Sequence, residues 1–240
     1  MIDEFLIAQF TISCGRLEKR YKALCSPYNS IQAIVMTKSP EEGKIWEWRA
    51  FGRIDDELAG RVRVYPIRLG IKDIQWEDLY LVSPKNDQNI KLRRYAGEWL
   101  LKFKLLFETR PGEFELYVES AEFTYRFPAQ LATLRDAARL LEVALPKETR
   151  SVSFTDDEFV RALVESSPAV AETRVLKKRS QYQFNGGWLE LADVSVGTHR
   201  VQSISIHSPD IDVVKSMLNE LQPGDELEPM NYIAACRRWG

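Results

Sequence analysis

The chain has 240 residues, 45% hydrophobic and 28% charged, which is the balance of a globular protein and not of a disordered or membrane-embedded one. The net charge is only −2, so composition advertises no binder of nucleic acid, and any electropositive site has to come from local patterning. Three widely spaced cysteines, Cys14, Cys25 and Cys236, have no metal-ligand spacing; they argue against a disulfide framework or a zinc site and for a reducing compartment.

No leader pattern and no run of about 18 apolar residues is evident, so the expectation is a cytoplasmic protein without membrane contact. Residues 1–35, with helical spacing in DEFLIAQF and RLEKRYKALC, read as a helical lead-in to a main domain over 36–240. From Lys44 the pattern turns to strands: KIWEWRAFG, RVRVYPIRL, DLYLVS, NIKLRRY, EWLLKFKLLF and EFELYVESAEF, with turn residues at 84–87, 96–97 and 110–112 between them. AQLATLRDAARLLEVAL then carries Leu131, Leu134, Ala138 and Leu141 on one helical stripe. A second helix is predicted at TDDEFVRALVES, where Thr155 and Glu158 have the spacing of a capping box. Strands return as ETRVLKKRSQYQF, WLELADVSV and HRVQSISIHS, the first two joined at Asn185-Gly186-Gly187. A helix, PDIDVVKSMLNEL, and a short segment, PMNYIAACRRW, close the chain. This order predicts an α+β fold built on an antiparallel β-barrel with flanking helices, a β-sandwich being the competing architecture.

The strands carry one recurring chemical pattern. Lys91 and Arg93, Lys102 and Lys104, and Lys177 and Arg179 are each two residues apart, so each pair projects two cations to the same face of its strand. A closed barrel would bring these pairs into one lumen, where a polyanion is the natural occupant; solvated strand faces are the plain alternative. Trp46, Trp48, Trp99 and Trp188 are expected to pack in the core or on the outer wall, and a base-stacking role, with it nucleic acid as a partner, is disfavoured. No phosphate-binding glycine loop, nucleophile elbow or HExxH motif is present.

The succession NIKLRR, EWLLKFK, VLKKRSQY and LELADV, followed by a glycine turn, a strand and Asn231-Tyr232, resembles the CYTH, or triphosphate tunnel metalloenzyme, superfamily over roughly Ile45 to Trp239. The resemblance implies an eight-stranded antiparallel tunnel that binds triphosphate, a nucleotide or polyphosphate, with glutamates holding magnesium or manganese if it is catalytic. The family's opening Glu-x-Glu-x-Lys falls on Ile45-Trp46-Glu47-Trp48-Arg49, leaving Glu47 and Arg49. Lys91 and Arg93, Lys104, and Lys177 and Arg179 match its phosphate-binding cations, and Asp193 matches the acid of its Leu-Asp-x-Val strand. The implied phosphate ligands are therefore Arg49, Lys91, Arg93, Lys104, Lys177 and Arg179.

The last Glu-x-Glu falls on Ser203-Ile204-Ser205, so one of four motif glutamates survives, and hydroxyls do not replace carboxylates around a hard divalent cation. A reduced metal site is expected from Glu47, Glu115 and Asp193, with Glu113 and Glu190 as further candidates, although Glu190 and Asp193 have opposite parity on one strand. His199 and His207 share the parity of Ser203 and Ser205, which makes His207 a candidate base or phosphate donor, or an ordinary polar residue near a strand end. Three functions follow: a polyanion binder with weakened or lost hydrolysis, a metal-dependent triphosphatase, and a scaffold whose lumen is filled by its own side chains. Contacts through residues 1–35 leave a homo-oligomer open.

Overall fold

The computed structural model describes residues 43–68, 73–145 and 151–240, so the expected lead-in over 1–35 lies outside the described residues. Strand β1 (Lys44–Gly52) is followed by α1 (Asp56–Arg63), β2 (Ile74–Val82), β3 (Asn89–Tyr95), β4 (Glu98–Arg110) and β5 (Phe114–Arg126). Next come the short β6 (Ala129–Gln130), α2 (Leu131–Leu140), β7 (Ser153–Phe154) and α3 (Asp156–Ser166). The chain ends with β8 (Ala171–Phe184), β9 (Gly187–Val196), β10 (His199–Ser208), α4 (Ile211–Leu221), β11 (Leu227–Pro229) and α5 (Tyr232–Trp239).

Eight strands pair antiparallel in the order β10, β9, β8, β2, β3, β4, β5, β1, and β1 pairs back onto β10, from Trp46 opposite Ser208 to Gly52 opposite Gln202. The sheet is thus a closed barrel, and closure removes the exposed edges of an open sheet. On its other edge β1 pairs with β5 from Lys44 to Trp48 and with β11 from Ala50 to Gly52.

Among the described residues, alternation along the strands turns one set of apolar side chains to the outer wall and another into one end of the interior. Outside, Trp46 and Trp48 pack with Leu189, Ile204 and Ile206 under Val214, Met217 and Leu221 of α4 and Leu58 and Val62 of α1. These two tryptophans therefore belong to the outer wall under a helix. Over another part of the barrel α3 packs against α2 and β8 through Phe159, Val160 and Leu163, its first turn fixed by the Thr155 and Glu158 capping box. Inside, the ends of β1, β2, β8 and β9 contribute Phe51, Tyr80, Val82, Val175, Val194 and Val196, which pack against Tyr232, Ile233 and Cys236 of α5. Tyr232 meets Phe51 edge to face at 5.1 Å and stacks on Tyr80 at 5.6 Å. The closing segment PMNYIAACRRW is thus a helix that seals one end of the barrel, capped by Asn231, whose side chain accepts from the Ala234 amide.

One expected strand is absent. RVRVYPIRL alternates like a strand, but Arg61 to Arg63 belong to α1, where Asp55 caps the first turn by accepting from the Leu58 amide and Asp56 and Glu57 favour the helix N-terminus. Leu58, Ala59 and Val62 form its buried stripe, so helical spacing competed with alternation and the cap decided the outcome. The β8 to β9 turn is two residues long, with Gly186 at φ 88° in the left-handed region.

The α5 seal should contribute strongly to stability. Ile233→Ala, at a fully buried position, is expected to cost about 2–5 kcal/mol, read as a lowered midpoint in denaturant unfolding with an unchanged slope.

Candidate functional site

The barrel interior away from α5 is a cavity of about 350 Å³. Eight cationic side chains line it: Arg49, Lys91, Arg93, Lys104, Lys177 and Arg179, together with Lys102 and the loop residue Arg68. All six phosphate-ligand candidates from the sequence therefore face one volume, and the i, i+2 spacing on β3, β4 and β8 is what aims each pair inward.

The cations are anchored on buried carboxylates. Arg49 donates from Nε to Glu47 at 2.7 Å and from a terminal nitrogen to Ser203 at 2.9 Å, and it reaches Glu190 at 3.4 Å. Lys104 grips the other Glu47 oxygen. Arg179 pairs with Glu190, which also accepts from Gln181 at 3.2 Å. Arg93 forks onto Asp78 at 2.7 and 2.8 Å, while Lys177 lies 2.9 Å from Asp78 and donates to the Tyr80 hydroxyl at 2.7 Å. Lys177 also stands 3.5 Å over the Tyr232 ring, so α5 supplies an aromatic face to the interior.

Protonation follows from this packing. Burial alone would raise the Glu47 carboxyl, but Lys104 and Arg49 hold it well below its ordinary value. Asp78 is likewise lifted by burial and pulled well below by Lys177 and Arg93. Burial brings the Lys177 ammonium down to about 8, Asp78 opposing the shift, and leaves it charged at neutral pH. Glu115 differs. Facing Glu47 across the β1 to β5 pairing, it accepts from Tyr117 at 2.6 Å and Asn231 at 2.5 Å, and burial raises it to about 7.

His207 lies flat on Trp188, with centroids 4.7 Å apart and planes 3° from parallel. A Cβ at Gly187 would stand 2.1 Å from the His207 carbonyl oxygen, so only glycine lets β9 start close enough to bring Trp188 under the imidazole. His207 Nε2 is 2.8 Å from the Ser205 hydroxyl, and Nδ1 is 3.5 Å from Glu47. Burial pushes the imidazole down to about 4, with Arg49 and Lys104 acting in the same direction against Glu47, so it is neutral at pH 7.

The expected metal set does not assemble. Glu47 and Glu115 are neighbours inside, but Asp193 is exposed on the outer face of β9, where its carboxylate accepts from Gln202. The reason is parity: Glu190 and Asp193 are three residues apart on an unbulged strand, and Glu190 takes the inward face. Glu113 sits exposed in the β4 to β5 turn at φ 61°, and His199 stacks on Trp239 at 4.6 Å at a strand end. Among the described residues no three acidic, imidazole or thiol groups converge as a metal cage. Divalent cations of the magnesium or manganese type need bare anionic oxygens, and those of Glu47, Asp78 and Glu190 already carry cationic donors, so the residues present do not fit such an ion.

Asp78, Tyr80, Tyr117 and Arg68 have no place in the sequence-based site. Asp78 and Tyr80 share the inward parity of Trp76 on β2, which is the signal that could have found them. Arg68 belongs to the expected strand RVRVYPIRL that the structure does not form, and it lies 4.2 Å over the Trp188 ring.

The closed eight-stranded wall, with paired cations turned inward, is the CYTH-like tunnel architecture that the sequence resembles. Among solved structures the chain is similar to a candidate adenylate cyclase from Bacillus halodurans, at 14% identity over 80% of this chain and 98% of that one with a TM-score of 0.48. A conserved hypothetical protein from Pyrococcus furiosus matches at 16% identity over 78% and 98% with a TM-score of 0.43. The RNA triphosphatase Pct1 of S. pombe matches at 10% identity over 80% and 82% with a TM-score of 0.33. No family model and no curated protein matches the chain. No helix among the described residues is long and apolar enough to cross a membrane.

Glu115 gives a pH prediction. Its carboxyl is raised from 4.5 to about 7 in the folded state, so the native protein holds a proton that the unfolded chain releases. Its contribution is complete below about 4.5 and disappears as pH rises through about 7. Glu115→Gln should therefore gain stability relative to the parent as pH rises across that window, by about 2–3 kcal/mol, measured by urea unfolding at a series of pH values.

Proposed function

We propose that the barrel binds triphosphate or another phosphorylated polyanion in its lumen, with metal-dependent hydrolysis weakened or lost. One observation carries this reading. Eight cations, drawn from β1, β3, β4, β8 and the segment before β2, converge on one cavity. Like charges brought together in a low-dielectric interior repel, and an anion with roughly one to two negative charges per phosphate group offsets that repulsion. Arginine forks at Arg49, Arg93 and Arg179 suit phosphate oxygens geometrically as well as electrically.

The alternative of a triphosphatase using Glu47 as a metal ligand is disfavoured by Ser203 and Ser205, which stand where the resembled family has carboxylates, and by the engagement of Glu47 with Arg49 and Lys104. The ion pairs themselves favour the scaffold alternative, in which the lumen is neutralised from within; the unpartnered donors of Arg179, Trp188 and Tyr232 oppose it.

Calorimetric titration with inorganic triphosphate at low salt is expected to give saturable binding that weakens as salt rises. Arg179→Gln, which removes a cation but keeps a donor beside Glu190, should lose about tenfold or more in affinity. Absence of binding at low salt, with and without magnesium, would defeat the assignment. Phosphate release sustained by magnesium or manganese and abolished in Glu47→Gln would replace it with the hydrolase reading.

A further inference from the structure

We infer that the lumen takes its phosphorylated ligand as the metal-free anion, all of the neutralising charge coming from side chains, and this rests on the anion-binding reading above. The inference comes from what the interior oxygens already do. Glu47 accepts from Arg49 on one oxygen and from Lys104 on the other. Both Asp78 oxygens accept from Arg93, and one is shared with Lys177. Glu190 is held by Arg179, Gln181 and Arg49. Glu115 accepts from Tyr117 and Asn231. Even the two hydroxyls are engaged, Ser203 by Arg49 and Ser205 by His207.

A divalent ion entering this set would displace a cation from a carboxylate and then sit beside the cation that it displaced. Both steps oppose binding, since the attraction of one partner is lost and a like-charge repulsion gained at short range. A phosphate chain does the reverse. It offers new acceptors to Arg49, Lys104 and Arg179 without removing any carboxylate from the wall.

The unsatisfied groups of the interior point the same way. Arg179 Nε, Trp188 Nε1 and the Tyr232 hydroxyl are buried without a hydrogen-bond partner, and all three residues line the cavity. Each can donate, so what they lack is an acceptor-rich ligand and not a cation. One orphan acceptor, Asn89 Oδ1, also lines the cavity, and its amide can present a donor by flipping.

The test uses the full chain and inorganic triphosphate. Calorimetric affinity in excess EDTA should equal or exceed that in excess magnesium, because magnesium chelates the free anion. Manganese titrated without triphosphate should show no protein-bound ion by electron paramagnetic resonance. Lys104→Met, which frees one Glu47 oxygen, should weaken metal-free binding by about tenfold and make added magnesium favourable. An affinity gain of about tenfold on adding magnesium or manganese to the parent, or a bound manganese signal, would overturn the inference while leaving the anion site standing. Binding in neither EDTA nor metal would instead defeat the anion site itself.

Discussion

The rest of the structure depends on the pairing of a few buried carboxylates with the cations that line the cavity. A barrel cannot close around eight like charges unless something holds them, because desolvation and mutual repulsion both act against the folded state. Glu47, Asp78 and Glu190 supply that hold from three different strands, each taking at least two cations, so the ion pairs tie together neighbouring and next-but-one strands of the wall. Removing one of these carboxylates would take a close partner from each cation it holds, a larger penalty than the net value of any one pair.

The two ends of the interior divide the labour. At one end the strands turn valines and aromatic rings inward and α5 packs into them, which gives the barrel the apolar core that its charged half cannot provide. At the other, polar residues lie over rings: Arg49 and Lys177 over Tyr232, and Arg93 over Trp76. Tyr232 is the junction, belonging to the apolar cluster and also lining the cavity. Aromatic faces allow cations to stay charged in a site with limited water, since the ring quadrupole partly replaces hydration.

Much of this was legible in the sequence. Period-two cations on Lys91 and Arg93, Lys102 and Lys104, and Lys177 and Arg179 gave both the strands and the face that they share, because alternation is a property of the backbone that tertiary context rarely overrides. The helix α1 was hidden because Arg61-Val62-Arg63 satisfies two periods at once, and only the Asp55 cap separates them. Asp78 was hidden for another reason: a single acid beside Glu77 has no pattern of its own, and its importance is set by Arg93 and Lys177, which lie far away in sequence. Asp193 shows the opposite failing. A motif match placed it in the site, and strand parity, which was visible in the same residues, sent it to solvent.

The seal formed by α5 makes the charged cavity a cul-de-sac. Under the proposed anion-binding reading, a ligand at Arg49 or Lys104 has the packed side chains of Phe51, Tyr80 and Ile233 between it and that end of the barrel. For a chain-like ligand, the same reading has an end bound at the sealed side and not a middle threaded through.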